Sequence, residues 1–189
     1  LDPLLPGLVT YSNVLECGLS AINPVVHPAG VVMNAGRIEQ SRGDFYFYDE
    51  GVTPGVVDVI LSVDVERRAV GSALGFKLTA VAEALAAAGF GPQGDLWATI
   101  NGSQMLTALK APGALNTRWL SEDVPYGLGI WSTLGKKLGV DTPTIDAVVS
   151  LGLVVLHQPP GAIRRTLSDL GLNGMSRDEM LAYVQTGRR

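Results

Sequence analysis

The sequence predicts an all-α fold, and three observations carry that prediction. Thr53-Pro54 and Thr142-Pro143 each set a threonine, able to cap free N–H groups, before a proline that loses nothing at the first helical position; Ser176-Arg177-Asp178-Glu179 is a capping box. Apolar residues recur at three- and four-residue steps, most clearly at Val56, Val59, Ile60, Val63, Val70 and Leu74. No convincing series of strands accompanies them, so helix must pack on helix. At 189 residues the chain suits one domain, 1–189, and its 47 % hydrophobic content with mean hydropathy of +0.25 calls for helices buried on more than one face.

Taken in order, residues 8–22 carry Val9, Val14, Leu15, Leu19 and Ile22 with few charges, and read as a first helix ended by Pro24. Proline lacks an N–H and disfavours helical geometry in the residue before it, so Val26-His27-Pro28 is expected at a kink or helix junction. A second apolar helix spans 29–38, with Gly36 as its weak point. Phe45-Tyr46-Phe47-Tyr48 has strand propensity but no partner of similar quality, and reads as an extended aromatic loop. The long helix after Thr53 can run on through the alanine-rich Val81 to Ala88 and stops at Gly89. Further helices are expected over Leu128 to Leu138, Ile145 to Leu156, and from Ser176 to near Gly187.

Several function classes fall away. A net charge of −4 and a pI near 5.1 leave no basic stripe to neutralise phosphates, which argues against a nucleic-acid binder. The longest apolar run, Ala147 to Leu156, contains Ser150 and Gly152 and is about half the roughly twenty residues a membrane span needs. Cys17 is the only cysteine, so no intrachain disulfide forms, and a cytoplasmic location fits. The start at Leu1-Asp2-Pro3 has no signal-peptide pattern and reads as cut from a longer chain. Gly89-Phe90-Gly91-Pro92-Gln93-Gly94 has the spacing of a dinucleotide fingerprint, but it follows a helix, holds a proline, and has no acidic residue between Asp95 and Glu122. No Walker-type loop, metal-ligand cluster or nucleophile elbow is present.

Two places could carry chemistry. His27 is one of two histidines, and an imidazole fixed at a bend facing a cleft suits general acid–base work; the alternative is a core histidine bonded to a carbonyl. Arg118 and Asp123 lie five residues apart, about 140° around a helix, so a turn near Pro125 is needed for them to converge. Arginine suits bidentate binding of a carboxylate, and an aspartate beside a histidine fixes its tautomer. The alternatives are a surface arginine and an aspartate at a helix start. His157, at a helix end, is assigned no chemistry.

Ile22-Asn23-Pro24-Val25-Val26-His27-Pro28-Ala29-Gly30, Asn34-Ala35-Gly36-Arg37-Ile38-Glu39 and Phe45-Tyr46-Phe47-Tyr48-Asp49-Glu50-Gly51, with Asp64-Val65-Glu66-Arg67 and Glu122-Asp123-Val124-Pro125-Tyr126-Gly127-Leu128, resemble one known domain. It is the C-terminal α-helical domain of the octopine/nopaline (opine) dehydrogenase family. The resemblance spans most of the chain and implies a multi-helix domain of the 6-phosphogluconate dehydrogenase C-terminal type. It also implies an NAD- or NADP-dependent oxidoreductase that condenses an amino acid with an α-keto acid through an imine. By analogy His27 polarises the keto group and exchanges protons, Arg118 holds a substrate carboxylate, Asp123 orients His27 or meets the amino group, and Asn23 and Tyr126 are lesser pocket groups. The family's N-terminal Rossmann domain is absent from these residues, so the chain alone is expected to be inactive. Expected partners are the two small acids, that Rossmann domain and a second copy in a weak homodimer. The rivals are the helical domain of another NAD(P)-dependent keto or hydroxy acid reductase and a non-catalytic dimerisation module.

Overall fold

The computed structural model describes residues 4, 8, 10–162 and 165–188. Over those residues the chain forms α1 (Val14–Leu19), α2 (Asn23–Met33), α3 (Ala35–Ser41), a first π-helical turn (Phe47–Gly51), α4 (Pro54–Ala73), α5 (Val81–Ala87), α6 (Leu96–Asn101) and α7 (Gln104–Thr107). It continues with α8 (Arg118–Ser121), a second π-helical turn (Asp123–Leu128), α9 (Gly129–Leu138), α10 (Pro143–Val155) and α11 (Arg177–Thr186). Among the described residues the only β pairing is a single antiparallel bridge between Tyr46 and Lys110, so the fold is all-α as expected. No helix among them is long and apolar enough to cross a membrane.

α1 is shorter than the pattern over 8–22 predicts, because the Asn13 side chain accepts from the N–H groups of Leu15 and Glu16 and fixes the start. The larger difference is α2. No junction forms at His27: one helix runs from Asn23 to Met33 with Pro28 inside it. Pro24 sits in the first turn, where its missing N–H is of no consequence, and Pro28 leaves only the Pro24 carbonyl without a helical donor. Val25 and Val31 are fully buried and Val26 and Ala29 nearly so, and that packing holds the helix through the proline. The break comes instead at Asn34, whose side-chain N–H₂ donates to the carbonyls of Gly30 and Gly51 and ties α2 to the first π-helical turn.

The aromatic stretch is half extended and half helical. The Phe47 N–H donates to the Leu109 carbonyl and the Ala111 N–H to the Phe45 carbonyl, after which the backbone tightens into the first π-helical turn. α4 ends at Ala73, short of the extension to Ala88, because Leu78 folds back onto Gly71. A Cβ on Gly71 would lie 2.4 Å from Leu78 Cδ1, and Gly75 turns the chain at φ +89°. The two threonines sit at their expected caps without side-chain cap bonds. For α10 the cap comes from α4: Glu66 accepts from the N–H groups of Thr144 and Ile145, each at 2.8 Å. The Ser176 capping box forms as the sequence predicts, and α11 ends at Gly187 in the left-handed region.

α2, α8, α9 and α10 all pack against the second π-helical turn. Fully buried Val124 and Leu128 anchor it from within, and Leu120 of α8 is fully buried just before it. Gly152 of α10 lies under Val124, where a Cβ would come within 2.9 Å of the valine. Of the consecutive apolar residues, Val31 and Leu153 are buried while Met33 and Val154 remain exposed.

Candidate functional site

The site begins where α2 crosses the second π-helical turn. Gly127 has no side chain because Pro24 occupies its place: a Cβ there would lie 2.7 Å from the proline ring. Pro24 and His27 are three apart on one face of α2, and Asp123 and Gly127 lie within the same π-helical turn, so this close approach delivers a second contact one turn away. There His27 Nδ1 meets Asp123 Oδ2 at 2.9 Å, with the two side chains 12 % and 14 % exposed. An ionised aspartate only accepts, so Nδ1–H donates and the lone pair of the neutral ring lies on Nε2. Nε2 has no hydrogen bond among the described residues.

Aromatic rings pack on the His27 side of the pair. The Trp119 indole stacks on the His27 imidazole with centroids 4.4 Å apart and planes within 5°. Phe47 meets Trp119 edge-on at 4.8 Å, and Tyr48 meets Phe47 edge-on at 5.1 Å. Burial, and after it the charge of Asp123, push the Tyr48 hydroxyl far above its ordinary range, so it stays protonated beside the site. Both π-helical turns thus contribute to one cluster. Such turns concentrate at functional sites because the extra residue re-aims side chains.

Of the five residues singled out from sequence, the structure joins two, His27 and Asp123. Arg118 is the first residue of α8, next to Trp119; its exposed guanidinium reaches Glu122 at 3.0 Å in an i,i+4 pair. Asn23 opens α2 and is exposed. Tyr126 is also exposed, with the Arg165 guanidinium 5.6 Å from its ring centre, and lines a small hollow of about 190 Å³ with Cys17, Ile130 and Leu134. Sequence reasoning missed Trp119 and Tyr48. Trp119 was visible only as the aromatic beside Arg118, and Tyr48 only as the last residue of the Phe45–Tyr48 run.

Among the described residues no His, Cys, Asp and Glu side chains are grouped as a metal site requires. Nor does the one segment with the spacing of a dinucleotide fingerprint take the strand–turn–helix form of that motif. The Gly89–Gly94 segment follows α5 and leads into α6, whose first turn is capped by the Asp95 carboxylate; no strand precedes it.

The pattern described as NAD/NADP octopine/nopaline dehydrogenase, alpha-helical domain, matches residues 10–156. An opine dehydrogenase of Arthrobacter sp. (strain 1C) is 35 % identical over 176 residues, 93 % of this chain and 49 % of that protein. Protein ocs of Agrobacterium tumefaciens (strain Ach5) is 28 % identical over 87 % of this chain and 46 % of its own length, and vitopine synthase of Allorhizobium ampelinum is 26 % identical over 92 % and 48 %. The chain spans about half the length of the curated relatives it matches. In fold it is similar to octopine dehydrogenase solved with NADH and L-arginine, with a TM-score of 0.74 at 18 % identity over 98 % of this chain and 52 % of that one. The same enzyme with NADH and agmatine gives a TM-score of 0.73.

Proposed function

The chain belongs to the NAD/NADP octopine/nopaline dehydrogenase family through its alpha-helical domain, and on that premise we propose that it is the substrate-binding and catalytic part of an opine-type dehydrogenase. The reaction is reductive condensation of an amino acid with an α-keto acid. NAD or NADP supplies the hydride when bound, and is assigned to a separate Rossmann domain of the full protein. The other partner expected is a second copy, through exposed apolar side chains such as Met33 and Val154, and the expected location is the cytoplasm.

The observation that carries this reading is the His27–Asp123 hydrogen bond, which commits Nδ1 and leaves Nε2 for proton exchange. Forming an imine from an ammonium group and a ketone moves two protons from nitrogen to the oxygen that leaves as water. An imidazole that accepts at Nε2 and returns the proton carries out that transfer, and Asp123 stabilises the cation formed in between. Arg118, one turn from Asp123 and held only by an exposed pair to Glu122, is free to exchange that partner for a substrate carboxylate.

The test uses the protein carrying this domain with its nucleotide domain, mixed with NADH or NADPH, an α-keto acid and a panel of amino acids. Cofactor oxidation should require both acids. Oxidation at the same rate with the keto acid alone would support the rival keto acid reductase, and none with any pair would remove the enzymatic reading.

A further inference from the structure

We infer that Trp119 is the positioning residue of this site, its indole holding the His27 ring in the plane that lets Asp123 take Nδ1 and leaves Nε2 available. The inference rests on the reading of His27 as the proton-exchanging group. A histidine ring turns about a broad torsion, so one hydrogen bond at Nδ1 fixes a distance while the plane can still rock. A parallel indole at 4.4 Å and 5° removes that freedom. Stacking through a flat face also favours the charged ring that appears during proton transfer.

Trp119 is itself held by a circuit of contacts that returns to the helix it serves. Its ring is met edge-on by Phe47 at 4.8 Å and 71°. Phe47 is fully buried and rests on Gly30, where a Cβ would lie 2.6 Å from the ring. Gly30 is three residues beyond His27, on the same face of α2. From Gly30 to Phe47, to Trp119 and back to His27, three aromatic rings close a loop over one helical turn. A side chain placed only to fill space would not need a parallel face, and Trp119 is only partly buried.

The experiment compares Trp119→Ala, Trp119→Leu and Trp119→Phe in the protein with its nucleotide domain, with His27→Gln as reference. Misplacing a reacting group by about an ångström costs up to about 100-fold, so W119A and W119L should lower kcat by about 10- to 100-fold with both KM values within about threefold. W119F, which restores a flat face, should recover to within about threefold of the parent. In proton NMR the His27 ring signals, shifted by the indole current, should move in W119A and W119L. Parent-like kcat in W119A or W119L while H27Q is inactive overturns the positioning role alone; W119L tests it even if W119A does not fold. Loss of kcat in W119F equal to that in W119A overturns it as well. Full activity in H27Q would instead remove the functional reading beneath it.

Discussion

Two ionisable constellations lie on neighbouring helices, and they differ in what they leave unused. On α4, Arg67 is fully buried and donates to Asp64 through Nε and Nη2, to the Leu19 carbonyl through Nη1 and to the Thr79 carbonyl through Nη2. Asp64 also accepts from Arg68 Nε at 2.9 Å and from the Val81 N–H at 3.3 Å, and Glu66 spends both oxygens on α10. Each carboxylate oxygen there has a partner. Where α2 meets the second π-helical turn, by contrast, His27 uses one ring nitrogen and Asp123 one oxygen, and both side chains keep some contact with solvent. A buried charge with satisfied partners ties α1, α4, α5 and α10 together. The pair that keeps some contact with solvent leaves Nε2 and one carboxylate oxygen unspent, the capacity that the proposed reaction draws on. Burial of ionisable groups does not mark a site by itself; the unspent hydrogen-bonding capacity does.

The contrast predicts opposite consequences for mutation. The largest change in stability should follow Arg67→Met. Removing the arginine leaves Asp64 Oδ1 and the Leu19 and Thr79 carbonyls without donors in the core, while Arg68 and the Val81 N–H still meet Oδ2, at a cost of about 3–5 kcal/mol in a denaturant titration. Such a loss is a large share of a domain's stability. Asp123→Asn should cost about 1 kcal/mol or less in the same titration, because the pair is partly solvated, while the full enzyme loses rate through the freed tautomer of His27. If D123N proved as destabilising as R67M, the two constellations would not differ in kind.

Glu66→Gln sharpens the comparison within α4. One of the two N–H groups at the start of α10 would face an amide donor, and the charge at the helix N-terminus would be lost, for about 1–2 kcal/mol. Amide exchange at Thr144 and Ile145 should quicken before that of the α4 interior.

The smallest effect concerns Tyr48. Its hydroxyl titrates well above the ordinary value of 10.0 in the folded chain, through burial first and Asp123 second. Its contribution to stability is therefore complete below about pH 10 and declines as pH rises further, since only the unfolded chain then ionises readily. Denaturant midpoints measured from pH 8 to 11 should fall less steeply in Tyr48→Phe than in the parent.

Local signals explain which parts of this could be read from the chain. The Ser176 capping box and the Pro54 start depend on residues within one turn, and both appeared where expected. His27 was expected at a junction because proline rules are local; packing of Val25, Val26, Ala29 and Val31 overrode them. Glu66 caps a helix 78 residues away and His27 pairs with a partner 96 residues on, separations that leave no periodic trace. His27, Arg118 and Asp123 came together as candidates through family resemblance, and composition alone would have left them among surface and core residues. The π-helical turns and the Trp119 stack had no sequence signal beyond Pro125 and a run of aromatics.

The central claim is that the open nitrogen of the His27–Asp123 pair moves the protons of imine formation. It is tested most directly by His27→Gln in the protein with its nucleotide domain, measuring kcat for cofactor oxidation with both acids present, alongside thermal unfolding. A fall in kcat of about 100- to 10,000-fold with a melting temperature within a few degrees of the parent is the predicted result. A variant that melts normally and turns over at the parent rate would contradict the claim.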